Sequence, residues 1–184
     1  MANYYMLKCY GEEPGASADV TIESDIDAGW FTGSRLTEPV PDPVECEIIE
    51  DGEMVSMFQG GGLLMTDRLV RSLREAGVDN LDVYNAIVRN PETGETWTNY
   101  KAVNIVGVIS AADLARSNPL ERAGDLIDVP FEGVAIDEEK AGDILMFRLA
   151  EAVAGIVVHE RVKEHLERAG FRDMQFLEPA TWLG

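Results

Sequence analysis

An aromatic and apolar run, Tyr4-Tyr5-Met6-Leu7-Lys8-Cys9-Tyr10, predicts a strand near the start of the chain. Residues 11–43 then lose all periodicity and are rich in Gly, Pro, Asp and Ser, with Trp30 and Phe31 as apolar anchors. Pro39, Pro41 and Pro43 predict an extended, stiff stretch, because proline fixes φ and disfavours helix in the residue before it. This segment is expected to wrap the rest of the molecule. From Gly60 the pattern turns regular. Leu63-Leu64-Met65 is a short apolar run, Thr66 can cap a helix, and Leu69, Leu73 and Ala76 share one helical face that Gly77 ends. Residues 81–88 alternate like a strand. The hairpin composition Asn90-Pro91-Glu92-Thr93-Gly94-Glu95 precedes a return strand or strands over 96–108. Residues 111–116 predict a short helical piece, and 129–136 and 144–148 further strands.

Residues 62–86 and 155–179 align without gaps at an offset of 93. Gly62 matches Gly155, Arg68 matches Arg161, Leu73 matches Leu166, and Ala76-Gly77 matches Ala169-Gly170. Each copy reads as strand, helix, Ala-Gly stop, strand. Two such copies are too few for a solenoid. They fit a single α+β domain, 1–184, with a mixed sheet and two similar strand–helix–strand units. In this reading 1–59 form an irregular acidic N-terminal part and 60–184 the regular body.

Charge changes the picture more than composition does. Thirty-four acids against fifteen bases give a net −19 over 184 residues. Residues 1–60 hold thirteen of the acids and only two bases, Lys8 and Arg35. Such a field repels nucleic-acid backbones and anionic membranes and attracts basic surfaces. Two cysteines, Cys9 and Cys46, make no disulfide framework. No secretory signal is visible, and no apolar run nears the ~18 residues of a membrane span. The expectation is a soluble cytoplasmic protein.

Candidate chemistry is thin. His159 and His165, six apart on an expected helix, lie about 600° apart around it and miss the i, i+4 spacing of zinc helices. His165 aligns with Ser72, which suggests an exposed position. Neither cysteine has a CxxC partner, so burial is the expected role for both. Gly60-Gly61-Gly62 lacks the Lys-Ser/Thr of a phosphate loop. Asp137-Glu138-Glu139 and the 42–53 stretch lack the spacing of a calcium loop. No catalytic residue, metal ligand or cofactor is assigned.

The run Tyr100-Lys101-Ala102-Val103-Asn104-Ile105-Val106-Gly107-Val108-Ile109-Ser110-Ala111-Ala112-Asp113-Leu114-Ala115-Arg116-Ser117 carries a resemblance. So do Phe147-Arg148-Leu149-Ala150-Glu151, Ile156-Val157-Val158-His159-Glu160-Arg161-Val162 and Ala169-Gly170-Phe171, with Asp79-Asn80-Leu81 and the Tyr-Tyr start. Together they resemble the Imm11-type immunity protein family of bacterial polymorphic toxin systems. The resemblance covers residues 60–180 and, more loosely, the first ten. It implies a non-enzymatic binder of a cognate protein toxin, with Asn104, Gly107, Asp113, Ser117 and Arg148 holding strand ends and turns. A toxin of basic character suits the acidity. The toxin-facing surface is then expected at Asp42, Glu45, Glu47, Glu50, Asp51 and Glu53, with Trp30 and Phe31. Competing readings are an acidic nucleic-acid mimic, a small carboxylate-based enzyme and a scaffold subunit.

Overall fold

The computed structural model describes residues 4–10, 17–23, 29–59, 61–120 and 130–184. In chain order the elements are β1 (Tyr4–Cys9), β2 (Asp19–Glu23), a 3-10 turn at Gly29–Phe31, β3 (Val44–Glu50), β4 (Met57–Phe58), β5 (Leu63–Thr66) and α1 (Asp67–Ala76). They continue with β6 (Leu81–Arg89), β7 (Thr96–Ile105), β8 (Val108–Ile109), α2 (Glu138–Ala141), β9 (Met146–Leu149), β10 (Ala152–His159), α3 (Glu160–Arg168), β11 (Met174–Leu177) and a 3-10 turn at Pro179–Thr181.

The two strand–helix–strand units repeat down to their caps. Thr66 Oγ1 accepts from Leu69 N–H at 3.3 Å to start α1, and His159 Nδ1 accepts from Arg161 N–H at 3.1 Å to start α3. At the far ends, Gly77 and Val78 N–H donate to Arg74 and Leu73 carbonyls, while Gly170 and Phe171 N–H donate to Glu167 and Leu166. Gly77 and Gly170 both have positive φ, +103° and +77°, which only glycine adopts without strain. Even the arginines correspond. Arg68 donates to Ala169 O at the end of α3, and a Cβ at Gly77 would sit 3.3 Å from the Arg161 guanidinium. Each helix thus sends a cation to the negative end of the other.

Sheet register extends the equivalence beyond the aligned residues. One sheet runs β11-β1-β10-β9-β8, the other β2-β3-β6-β7-β5-β4. Leu63 pairs with Val103 and Thr66 with Tyr100; their equivalents Ile156 and His159 pair with Leu7 and Tyr4. Leu81 pairs with Ile105, and Met174 with Cys9. β1 therefore fills in the second unit the place that β7 fills in the first. In each unit this antiparallel strand lies between the two strands that flank the helix. The duplication is structural, with one strand supplied from the opposite end of the chain.

The helices and the facing sides of both sheets share one core, including Leu7, Leu63, Met65, Leu73, Val103, Ile156, Val158 and Leu166. Ala111, Ala112, Phe131, Val134 and Trp182 cover the outer face of the β1 sheet. The other sheet curls until its ends approach: Ser17 bridges Glu53, and Ala18 N–H donates to Glu53 O at 2.9 Å. Val20, Cys46, Val88, Tyr100 and Trp30 fill the hollow of that curl.

Three expectations change. Residues 1–59, expected to be irregular beyond the first strand, contribute four strands among the described residues, and β1 is internal to its sheet. The 111–116 stretch is a turn rather than a helix, closed by Arg116 N–H donating to Asp113 O at 3.0 Å. Residues 130–136 make only isolated bridges, at Phe131, Glu132 and Ile136. Position 129 lies outside the described residues, as does Gly60 of the glycine run.

Candidate functional site

β3 reads Val-Glu-Cys-Glu-Ile-Ile-Glu, and the alternation sorts its residues. Val44, Cys46 and Ile48 point into the curled sheet, while Glu45 faces out and Glu47 is half-buried. Parallel pairing with β6 sets polar partners beside the acids. Arg89 Nε donates to Glu45 Oε2 at 3.0 Å, Asn85 Nδ2 to Asp42 Oδ1 at 2.8 Å, and Asn90 Nδ2 to Asp51 Oδ1 at 2.6 Å. The Glu45 carboxylate in turn holds the Arg89 guanidinium above its ordinary pKa. Three acids of the 42–53 stretch therefore clamp β3 to β6. The Glu53 backbone joins the two ends of the sheet.

Antiparallel pairing with β2 does the opposite. It places Asp19 across from Glu50 and Glu23 across from Glu45. Like charges directly opposite each other destabilise a sheet. Between the pairs Asp19–Glu50 and Val20–Ile48 the register skips Ile49, a bulge that leaves this residue 62% exposed. Glu47, Ile49 and Glu50 thus form an acidic rim around an outward apolar side chain.

Trp30 is placed differently from expectation. It is 2% exposed, edge-on to Tyr84 at 5.8 Å, and fills the curled sheet, so it anchors its segment and offers no surface. Phe31 is partly buried and lies over the Arg148 guanidinium.

The Imm11 immunity protein family matches residues 20–181. The chain belongs to that family. No curated protein sequence matches it.

Imm11 membership brings with it an immunity role and a toxin partner, and immunity proteins of this kind are generally not enzymes. The residues that carried the resemblance do hold turns. Asn104 Nδ2 donates to Ser34 O at 2.7 Å, and Gly107, at φ +134°, donates N–H to Gly33 O at 2.8 Å. Ser117 Oγ donates to Asp113 O at 2.7 Å and accepts from Ala135 N–H at 2.9 Å. A hydrogen bond from Arg116 holds the Asp113 carboxyl below the usual range. Asn80, in the Asp79-Asn80-Leu81 step, ties the sheets together through Nδ2 bonds to Val106 O and Met146 O, both 2.9 Å.

The remaining candidates sort by burial. His159 caps α3 rather than lying within it. His165 packs toward α1, its Nε2 3.8 Å from Glu75 Oε2, and its equivalent Ser72 is buried. His165 is thus half-buried rather than exposed, with its ring turned toward α1. Cys46 is buried, and burial aided by Asp173 pushes the Cys9 thiol up to about 12, so neither is poised as a nucleophile. Asp137 spends its carboxylate capping α2. Among the described residues no His/Cys/Asp/Glu group is arranged to hold a metal, and no helix is long and apolar enough to cross a membrane.

Proposed function

We propose that this Imm11 protein neutralises a cognate toxin by direct protein–protein contact in the cytoplasm of the cell that makes it. The toxin docks on the outer face of the β2–β3 ribbon. The observation behind this reading is the ribbon's register, which opposes acid to acid at Asp19–Glu50 and Glu23–Glu45 around the bulged Ile49. A fold does not gain from that arrangement; a basic partner relieves it. Among the described residues, Glu47 and Glu50 take no part in the clamps to β6, whereas Asp42, Glu45 and Asp51 do. Glu47, Ile49 and Glu50 are therefore the contact residues of choice, and Trp30 is not one.

Two measurements separate the parts of this reading. Co-expression with the toxin domain encoded by the neighbouring gene should restore growth; absence of rescue, with both proteins folded, rejects the immunity role. The double substitution Glu47→Lys/Glu50→Lys should weaken toxin binding at least about tenfold and flatten its salt dependence, since such charges act mainly on association rate. Unchanged affinity and salt dependence would move the interface elsewhere on the protein.

A further inference from the structure

Arg148 sits on β9 where the two sheets meet, and it is 1% exposed. Its surroundings are a chain of short contacts. Arg148 N–H donates to Gly107 O at 3.2 Å, Gly107 N–H donates to Gly33 O, and Asn104 on β7 of the other sheet holds Ser34 O. The side chain donates from Nη1 to Val153 O at 2.8 Å. The Phe31 ring covers the guanidinium, 4.6 Å from Cζ to ring centroid. Nε and Nη2 are buried and have no hydrogen-bond acceptor among the described residues. Among the described residues no carboxylate forms an ion pair with Arg148.

This is an unfavourable way to bury a charge. Desolvation lowers the guanidinium pKa only to about 10, so it stays charged at neutral pH. Unpaired buried charges are costly, and folds retain them rarely. The identity of the idle atoms narrows the reason. Nε–H and the adjacent Nη2–H lie in one plane and point the same way. They form the fork that meets both oxygens of a carboxylate or phosphate. The single bond to a backbone carbonyl comes from Nη1, outside that fork.

We infer that Arg148 is a covered oxyanion site, which takes a carboxylate or phosphate group across Nε and Nη2 when Phe31 swings aside. Phe31, itself only partly buried, is the aromatic plate over the guanidinium. Moving it costs the ring–cation contact and some apolar burial, and returns a bidentate, charge-assisted pair. Phe31 then acts as a cover over the site rather than as a surface anchor. The inference stands apart from the β2–β3 docking face and does not require the toxin reading. A free anion and an acidic side chain of a partner protein share the chemistry.

The test uses the full chain, labelled with ¹⁵N, as wild type and as Phe31→Ala. Phosphate and acetate are titrated against chloride at constant ionic strength, following the Arg148 Nε–H resonance and, so that the position 148 variant is read on the same signals, the backbone amides of Gly107 and residue 148. A saturable shift is expected for both proteins, with apparent affinity about fivefold or more tighter in Phe31→Ala, because the closed cover reduces the competent population. Arg148→Lys keeps the charge and loses the fork, and should bind about tenfold more weakly. No saturable shift in folded Phe31→Ala overturns the site, as does unchanged phosphate binding by Arg148→Lys. Adding the toxin domain then identifies the source. Loss of the phosphate shift by competition assigns the fork to a partner carboxylate, and simultaneous binding assigns it to a free anion.

Discussion

At the residue scale, Thr66 and Gly77 show how local chemistry was legible before any contact was known. A hydroxyl before an acidic first turn and a glycine after an Ala stop are signals that need no tertiary context. Thr66→Ala should therefore cost about 1 kcal/mol in urea unfolding. A loss below the measurement error would show that the 3.3 Å bond to Leu69 N–H contributes nothing. His159 does the same work at the head of α3, yet a histidine before Glu-Arg is no recognised cap signal; only the offset of 93 from Thr66 marked the position. Trp30 and Arg148 lie at the other extreme. A tryptophan in a Gly/Asp-rich segment reads equally as core or contact, and an arginine between Phe147 and Leu149 gives no hint that its guanidinium is buried.

At the element scale, β3 was hidden by its own charge. Its period-two pattern is plain once the pairing is known, but three glutamates crowded near Asp42, Asp51 and Glu53 suggest a solvated loop. β2 was hidden for the same reason. The register then assigns the acids unequal tasks: Glu45 faces Glu23 but is offset by Arg89 of β6, whereas Asp19 and Glu50 face each other across the ribbon. Glu50→Lys converts the Asp19–Glu50 pair from repulsive to attractive. It should raise stability by about 0.2–1 kcal/mol while weakening toxin binding. A variant that is stabilised but binds the toxin unchanged would separate the strained register from the docking face. One that is destabilised would contradict the register itself. In contrast, α1, β6, the 90–95 hairpin and β7 were legible throughout, because each is local and carries its own stop signal. Gly94 at φ +76° and Asn90 Oδ1, accepting from Glu92 and Thr93 N–H, close that hairpin as its composition suggests.

At the scale of the whole molecule, the duplication joins the two ends of the chain. β1 stands between β10 and β11, so the second unit lacks its internal strand without the N-terminal residues. Deleting residues 1–10 should abolish cooperative unfolding in calorimetry, since it removes Tyr5 and Leu7 from the shared core and Tyr4 and Met6 from the outer one. A single sharp transition with only a small drop in Tm would mean that the first unit and its sheet carry the fold without β1.

Local pattern and composition were enough for the α+β class, both strand–helix–strand units, the Thr66 cap, both glycine stops, the acidity and the family resemblance, because each rests on nearby residues or on overall content. Tertiary structure decided the rest. β1 substitutes for β7, charge-rich 44–50 becomes a strand, Trp30 turns inward, and Arg148 lies covered by Phe31. Each of these depends on pairings between residues tens to more than a hundred positions apart. Local pattern carries no record of which strand will lie beside which, and pairing alone fixes which face an acid, a tryptophan or an arginine presents.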